Sequence, residues 1–108
     1  MDNVEAVFQL ILFGGNARSS AMEAIMHAKA GDITAARKSL DEASKELSNA
    51  HQIQTNLIHQ EAAGEKKEIS LLMIHAQDHL MNAITIKDLA SEFVDLYESI
   101  FKNRRLGI

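Results

Sequence analysis

The sequence predicts an all-α fold, an antiparallel up-down-up bundle of three long helices. Three observations carry that expectation. There is no proline anywhere in the 108 residues, so nothing of that kind interrupts a helix. Hydrophobic residues make up 46% of the chain but aromatics only 5%, so the core must be built from Leu, Ile, Val, Met and Ala, as in packed helices. Apolar residues also recur at spacings of three and four, with turns at Gly31 and Gly64 and one interruption inside the first segment at Gly14-Gly15. The length fits one domain, residues 1–108.

The first helix is expected from near Asn3 to Ala30. Val4, Val7, Phe8 and Ile11, then Met22, Ile25 and Met26, give it an apolar face. Gly14-Gly15 falls inside it. A glycine inside a helix costs about 1 kcal/mol against alanine. The pair therefore predicts a kink, a local irregularity or a close backbone approach. It is not a phosphate loop, because the lysine and second glycine of such a loop are missing. Arg18 lies near the apolar stripe and reads as an arginine carrying its head to solvent.

Ala30-Gly31-Asp32 reads as the first turn. Gly31 suits the left-handed position after a helix, and Asp32 suits the N-cap of the next. The second helix is expected from about Ile33 to Ala63. Ile33, Ala36, Leu40, Ala43, Leu47, Ala50, Gln54 and Leu57 alternate by three and four, a coiled-coil type of seam. Gln54 is its polar misfit and reads as a register-setting residue. His51 and His59 flank the seam. The second turn spans Ala63-Gly64-Glu65-Lys66-Lys67-Glu68. The third helix is expected to start near Ile69 or Ser70, the latter a candidate N-cap, and to run to about Asn103, with Lys102, Arg104 and Arg105 at its negative end and Gly107 as a stop.

That third helix shows two apolar stripes. One is Leu72, Ala76, His79, Ala83, Ile86, Ala90, Phe93, Tyr97 and Ile100, expected to face the core. The other is Leu71, Ile74, Asp78, Met81, Thr85 and Leu89. Two stripes on one helix of a thin bundle suggest a monomer core and an oligomer interface.

Composition excludes several classes. A net charge of −4 argues against nucleic-acid binding, and the absence of cysteine removes thiolate chemistry and any need for an oxidising compartment. The acidic start is unlike a signal peptide, and the apolar run 7–13 is too short to span a bilayer. A cytoplasmic location without membrane insertion is expected.

The chemistry concentrates in Met73-Ile74-His75-Ala76-Gln77-Asp78-His79-Leu80-Met81. Polar groups on an apolar helix need partners or a purpose. His75 and His79, four apart, share a helix face. That is metal-ligand spacing, but Ala76 stands where a metalloprotease would need glutamate, and a closed zinc site needs two more ligands. A second reading is nucleophilic: a neutral imidazole attacks a phosphoryl group and passes it on. His75 sits near the positive end of its helix, and Gln77, His79 and Asn82 are candidate donors. Asp78 lies on the second stripe. It is either a carboxylate at a wet edge or, where copies meet at an axis, a ligand for a hard divalent cation. A non-catalytic helical oligomerisation module with structural or metal-binding histidines is the alternative. A two-component phosphotransfer domain fits less well, since Asp78-His79 occupy the places where such domains usually carry lysine and glycine.

The chain resembles the lactose/cellobiose (diacetylchitobiose) class of enzyme IIA of the bacterial sugar phosphotransferase system. The resemblance rests on His75-Ala76-Gln77-Asp78-His79-Leu80-Met81, Gly15-Asn16-Ala17-Arg18-Ser19, Gly31-Asp32, Ala50-His51-x-x-Gln54-Thr55 and Glu61-Ala62-x-Gly64. It implies a homotrimer of three-helix subunits. It also implies that His75 accepts phosphate from the phosphocarrier protein HPr as a phosphohistidine. The phosphoryl group then passes to a cysteine of enzyme IIB, and through it serves the membrane enzyme IIC. Asp78 is implied as a ligand for Mg2+ or another divalent cation at the trimer axis, with Gln77 and His79 as neighbours of the phosphoryl site.

Overall fold

A computed structural model describes residues 3–65 and 68–105. Lys66 and Lys67 of the second turn, and Gly107, lie outside the described residues. The described residues form three helices: α1 (Asn3–Lys29), α2 (Ile33–Ala62) and α3 (Leu71–Arg105). Each boundary has a local cause. After α1, the Gly31 amide donates to the Ala28 carbonyl (3.0 Å) and the Asp32 amide to the His27 carbonyl (2.9 Å). Gly31 takes the left-handed conformation this closure requires, with φ +88°. Asp32 then caps α2, accepting the Ala35 amide at 3.0 Å. The same double closure recurs after α2 at Gly64, where φ is +94°. Ser70 caps α3, its hydroxyl oxygen accepting the Met73 amide at 3.1 Å and its carbonyl the Ile74 amide at 3.1 Å. Asp32→Ala leaves one of the amides at the start of α2 without its side-chain acceptor. It is expected to cost about 1 kcal/mol, read as a lower urea midpoint at fixed protein concentration; an unchanged midpoint would show that the cap contributes nothing.

The core falls in two groups along the long axis. Near one end, Val7 and Leu10 of α1 meet Ala50 of α2 and Ala76 and Leu80 of α3. Further along, Ala17, Ala21, Ala24 and Ala28 meet Ala36, Leu40 and Ala43 of α2, and Ala83, Ala90 and Val94 of α3. The first half of α1 thus packs with the second half of α2 and the first half of α3. Small side chains let α1 lie close to both partners, while α2 and α3 touch each other much less. Arg37 ties the start of α2 to the end of α3, with its Nη2 2.8 Å from Asp95 and 3.3 Å from Glu98. Hydrogen bonding to Asp95 raises the guanidinium further above its already high ordinary pKa.

The seam of α2 lies where its periodicity puts it. The core face of α3 does so in part: Ala76, Ala83 and Ala90 of the expected stripe are buried, and Ile86 and Tyr97 pack half-buried against the core. Its buried line is Ala76, Leu80, Ala83, Ala90 and Val94, whereas Leu72 and Phe93 of the expected stripe are exposed. The two lines share Ala76, Ala83 and Ala90, and diverge at the residues between. Half-buried Lys87 sits on the true line between Leu80 and Val94, and its aliphatic stem can lie along the seam. A lysine there makes the neighbouring Phe93 look the better core candidate, although it is exposed; Ile86, half-buried, does pack against the core.

The second stripe of α3 is on the outside, as expected. Leu71, Ile74, Met81 and Leu89 are all more than half exposed, and so are Phe8 and Leu12 of α1. The bundle measures 62 × 19 × 19 Å. A rod this thin leaves apolar faces of α1 and α3 without a partner inside one chain. Among the described residues, no helix is long and apolar enough to cross a membrane.

Candidate functional site

The polar cluster lies in the first three turns of α3. Ser70 closes the start of that helix, and His75 follows one turn after the free amides. An incoming anion is favoured there by the helix dipole. His75 is exposed and borders a shallow hollow with Leu71 and Leu72. His79 is half-buried, and its ring stacks on that of His75, with centroids 6.0 Å apart and planes 28° apart.

The other two residues singled out by the sequence point elsewhere. Gln77 is half-buried and faces α2. Its Oε1 accepts a hydrogen bond from Gln54 Nε2 at 2.7 Å, and its own Nε2 lies 4.0 Å from the Met73 sulfur. Asp78 is exposed on the unpartnered stripe, where Asn82 Nδ2 reaches its Oδ2 at 3.4 Å. The structure therefore brings His75 and His79 together, turns Gln77 into the bundle and turns Asp78 out of it.

Two partners of the cluster come from other helices. Gln54 is one: its place on the α2 seam is explained by the amide pair it forms with Gln77. The two residues lie equally far, about eleven residues, from the middle of the second turn, the signal by which an antiparallel pair can be found. The glycine pair of α1 is the other. The helix runs through Gly14-Gly15 without a break. Of the three expectations for the pair, close approach is the one realised: the ring of His79 lies against it.

A metal is a different matter. Among the described residues, no group of three His, Cys, Asp or Glu side chains could hold one. Asp78 is a hard oxygen donor suited to Mg2+ or Ca2+, but one carboxylate is far short of the six or more oxygens such a cation takes. Several copies of the chain, with water, would have to contribute.

Comparison with known proteins places this geometry in a family. The family model described as "PTS system, Lactose/Cellobiose specific IIA subunit" matches residues 5–98. The chain is 60% identical over 104 residues to the lichenan-specific phosphotransferase enzyme IIA component of Bacillus subtilis, covering 96% of this chain and 94% of that one. It is 41% identical over 96 residues to the N,N'-diacetylchitobiose-specific EIIA component of Escherichia coli, covering 89% and 83%. Among solved structures, the cellobiose-specific enzyme IIA of Bacillus anthracis superposes with a TM-score of 0.90 at 53% identity, covering 94% of each chain. The chitobiose IIA in its solution complex with HPr superposes with a TM-score of 0.81 at 37% identity, covering 93% of this chain and 97% of that one. The chain belongs to the lactose/cellobiose-specific IIA family of the phosphotransferase system.

Proposed function

We propose that the chain is the enzyme IIA phosphoryl carrier for a disaccharide of the lactose, cellobiose or diacetylchitobiose type, working as a homotrimer of up-down-up subunits. The observation that carries this reading is His75: an exposed imidazole near the capped start of a helix, stacked on a second imidazole. The relative solved in complex with HPr supports HPr as the donor.

In the first step the lone pair of a His75 ring nitrogen attacks the phosphorus of phosphorylated HPr. A P–N bond forms as the bond to the donor breaks. In the second step a cysteine thiolate of enzyme IIB attacks the same phosphorus, the P–N bond breaks, and the imidazole is released. An exposed nucleophile suits this task, because two protein partners must reach it in turn and neither can enter a deep pocket. In this reading His79, stacked on His75, is the neighbour that donates a ring N–H to the phosphoryl oxygens. Gln77, engaged with Gln54, holds the helix backbone beside His75 against α2.

The trimer is supported by the exposed apolar faces of α1 and α3. Asp78 lies on that stripe between Ile74 and Met81, so symmetry would gather three carboxylates at the axis. A bound Mg2+ or similar cation would neutralise them there.

The test is direct. Incubated with enzyme I, HPr and phosphoenolpyruvate, the chain is expected to gain one acid-labile, base-stable phosphoryl group, assigned to His75 by peptide mass spectrometry, and to lose it on addition of enzyme IIB. A label on any other residue, or none, would overturn the proposal.

A further inference from the structure

We propose that Gly14 is a positioning residue for His75, acting through His79: the bare backbone of α1 at this point is the seat that holds the His79 ring against the carrier histidine. The inference rests on the role proposed for His75. A Cβ placed on Gly14 would lie 3.1 Å from Cδ2 of His79 and 3.7 Å from its Nε2. Carbon atoms in contact prefer about 3.5–4.0 Å, so the first of these distances is too short. The next obstacle, the Leu80 Cα, is at an ordinary 3.7 Å. The packing of α3 on α1 therefore has room for a methyl group at position 14, whereas the imidazole would have to shift by a few tenths of an ångström.

Three features make this more than a packing detail. Gly14 is buried in the middle of an unbroken helix, where glycine is disfavoured and every other buried position further along the α1 seam is alanine. The side chain that occupies the space is half-buried and polar, and it reaches back to an exposed histidine one turn earlier. Gly15 supports the same ring more loosely, with its hypothetical Cβ at 3.4 Å from Nε2. The expected effects are thus graded, Gly14 above Gly15, and both depend on the ring at position 79.

The experiment compares the full-length parent with Gly14→Ala, Gly15→Ala, His79→Ala and the Gly14→Ala/His79→Ala double variant. Two quantities are read: the ring resonances of His75 in nitrogen-15 histidine spectra, taken without any phosphoryl donor, and the single-turnover rate of labelling by phosphorylated HPr. Gly14→Ala is expected to shift the His75 and His79 ring signals and to slow labelling about tenfold or more, as small misplacements of reacting groups do. Gly15→Ala should shift them less. In the His79→Ala background, Gly14→Ala should change the rate by less than about twofold, because the group through which it acts is gone. Unmoved ring signals in Gly14→Ala, or an equal slowing with and without His79, overturn the proposal. Should Gly14→Ala fail to fold, recovery of folding in the double variant supports the steric link, and failure of both overturns it. A parent chain that is not labelled at His75 would overturn the carrier role, while the ring signals would still judge the seat.

Discussion

His75→Ala is expected to take up no phosphoryl group from HPr, while His79→Ala still labels at His75 about a hundredfold more slowly. The asymmetry follows from position. His75 is exposed beside an apolar hollow at the capped end of α3, where a partner protein can present a phosphoryl group. On the proposed reading its ring nitrogen is the bonding atom, and alanine has nothing to replace it. His79 is half-buried and stacked behind it, and on the same reading it would meet the phosphoryl group only through a hydrogen bond. Removing one such donor typically costs about a hundredfold or more. Neither variant should lose structure. Histidine to alanine on an exposed helix gains propensity, and the ion pairs of Arg37 that hold the far end of the bundle are remote from both. Labelling of His75→Ala at the parental rate, or complete loss of labelling in His79→Ala with its fold intact, would reverse the two roles.

Much of this was legible in the sequence because it is local. Gly31 and Asp32 specify a helix stop and a helix start with their own backbone and side-chain atoms, and the structure realises both. Ser70 does the same for α3. The α2 seam was legible because small and large apolar residues alternate on it without a charged residue. What could not be read was anything that depends on where another helix lies. On α3 the lines through 79, 86 and 93 and through 80, 87 and 94 differ by one residue in register, and the helix buries parts of both: Leu80 and Val94 fully, Ile86 partly, Phe93 not. Which residues go deepest follows from α1, where Leu80 clusters with Val7 and Leu10 and Val94 with the row of alanines. The packing of α3 on its neighbours also decides the fate of the polar cluster. Four residues within five positions turn three ways: His79 to the glycine pair with the exposed His75 ring stacked on it, Gln77 to Gln54, and Asp78 outward. Spacing put the histidines on one face, but the seat for His79 comes from a glycine pair about 65 residues earlier in the chain.

The outward turn of Asp78 sets the second large expectation. Asp78→Leu should leave the helical content unchanged, preserve or tighten the trimer, and abolish binding of a divalent cation at the axis. The carboxylate is exposed in the single chain and flanked by Ile74 and Met81, both about half exposed. In a trimer about that stripe each carboxylate meets two others. A pair of such charges about 4 Å apart repels by about 4 kcal/mol at an effective dielectric of 20. Without a cation, that repulsion opposes assembly, and it recurs for each of the three pairs. Leucine replaces it with apolar contact continuous with the stripe, which contributes about 25 cal/mol for each Å² removed from water. Assembly should then no longer respond to a chelator, whereas the parent should dissociate more readily when the cation is removed. Sedimentation at several protein concentrations, with and without EDTA, measures both. A trimer that falls apart in Asp78→Leu would mean that the cation, and not the apolar faces of α1 and α3, holds the subunits together. A parent trimer indifferent to EDTA and to added Mg2+ would remove the reason for placing Asp78 at a shared metal.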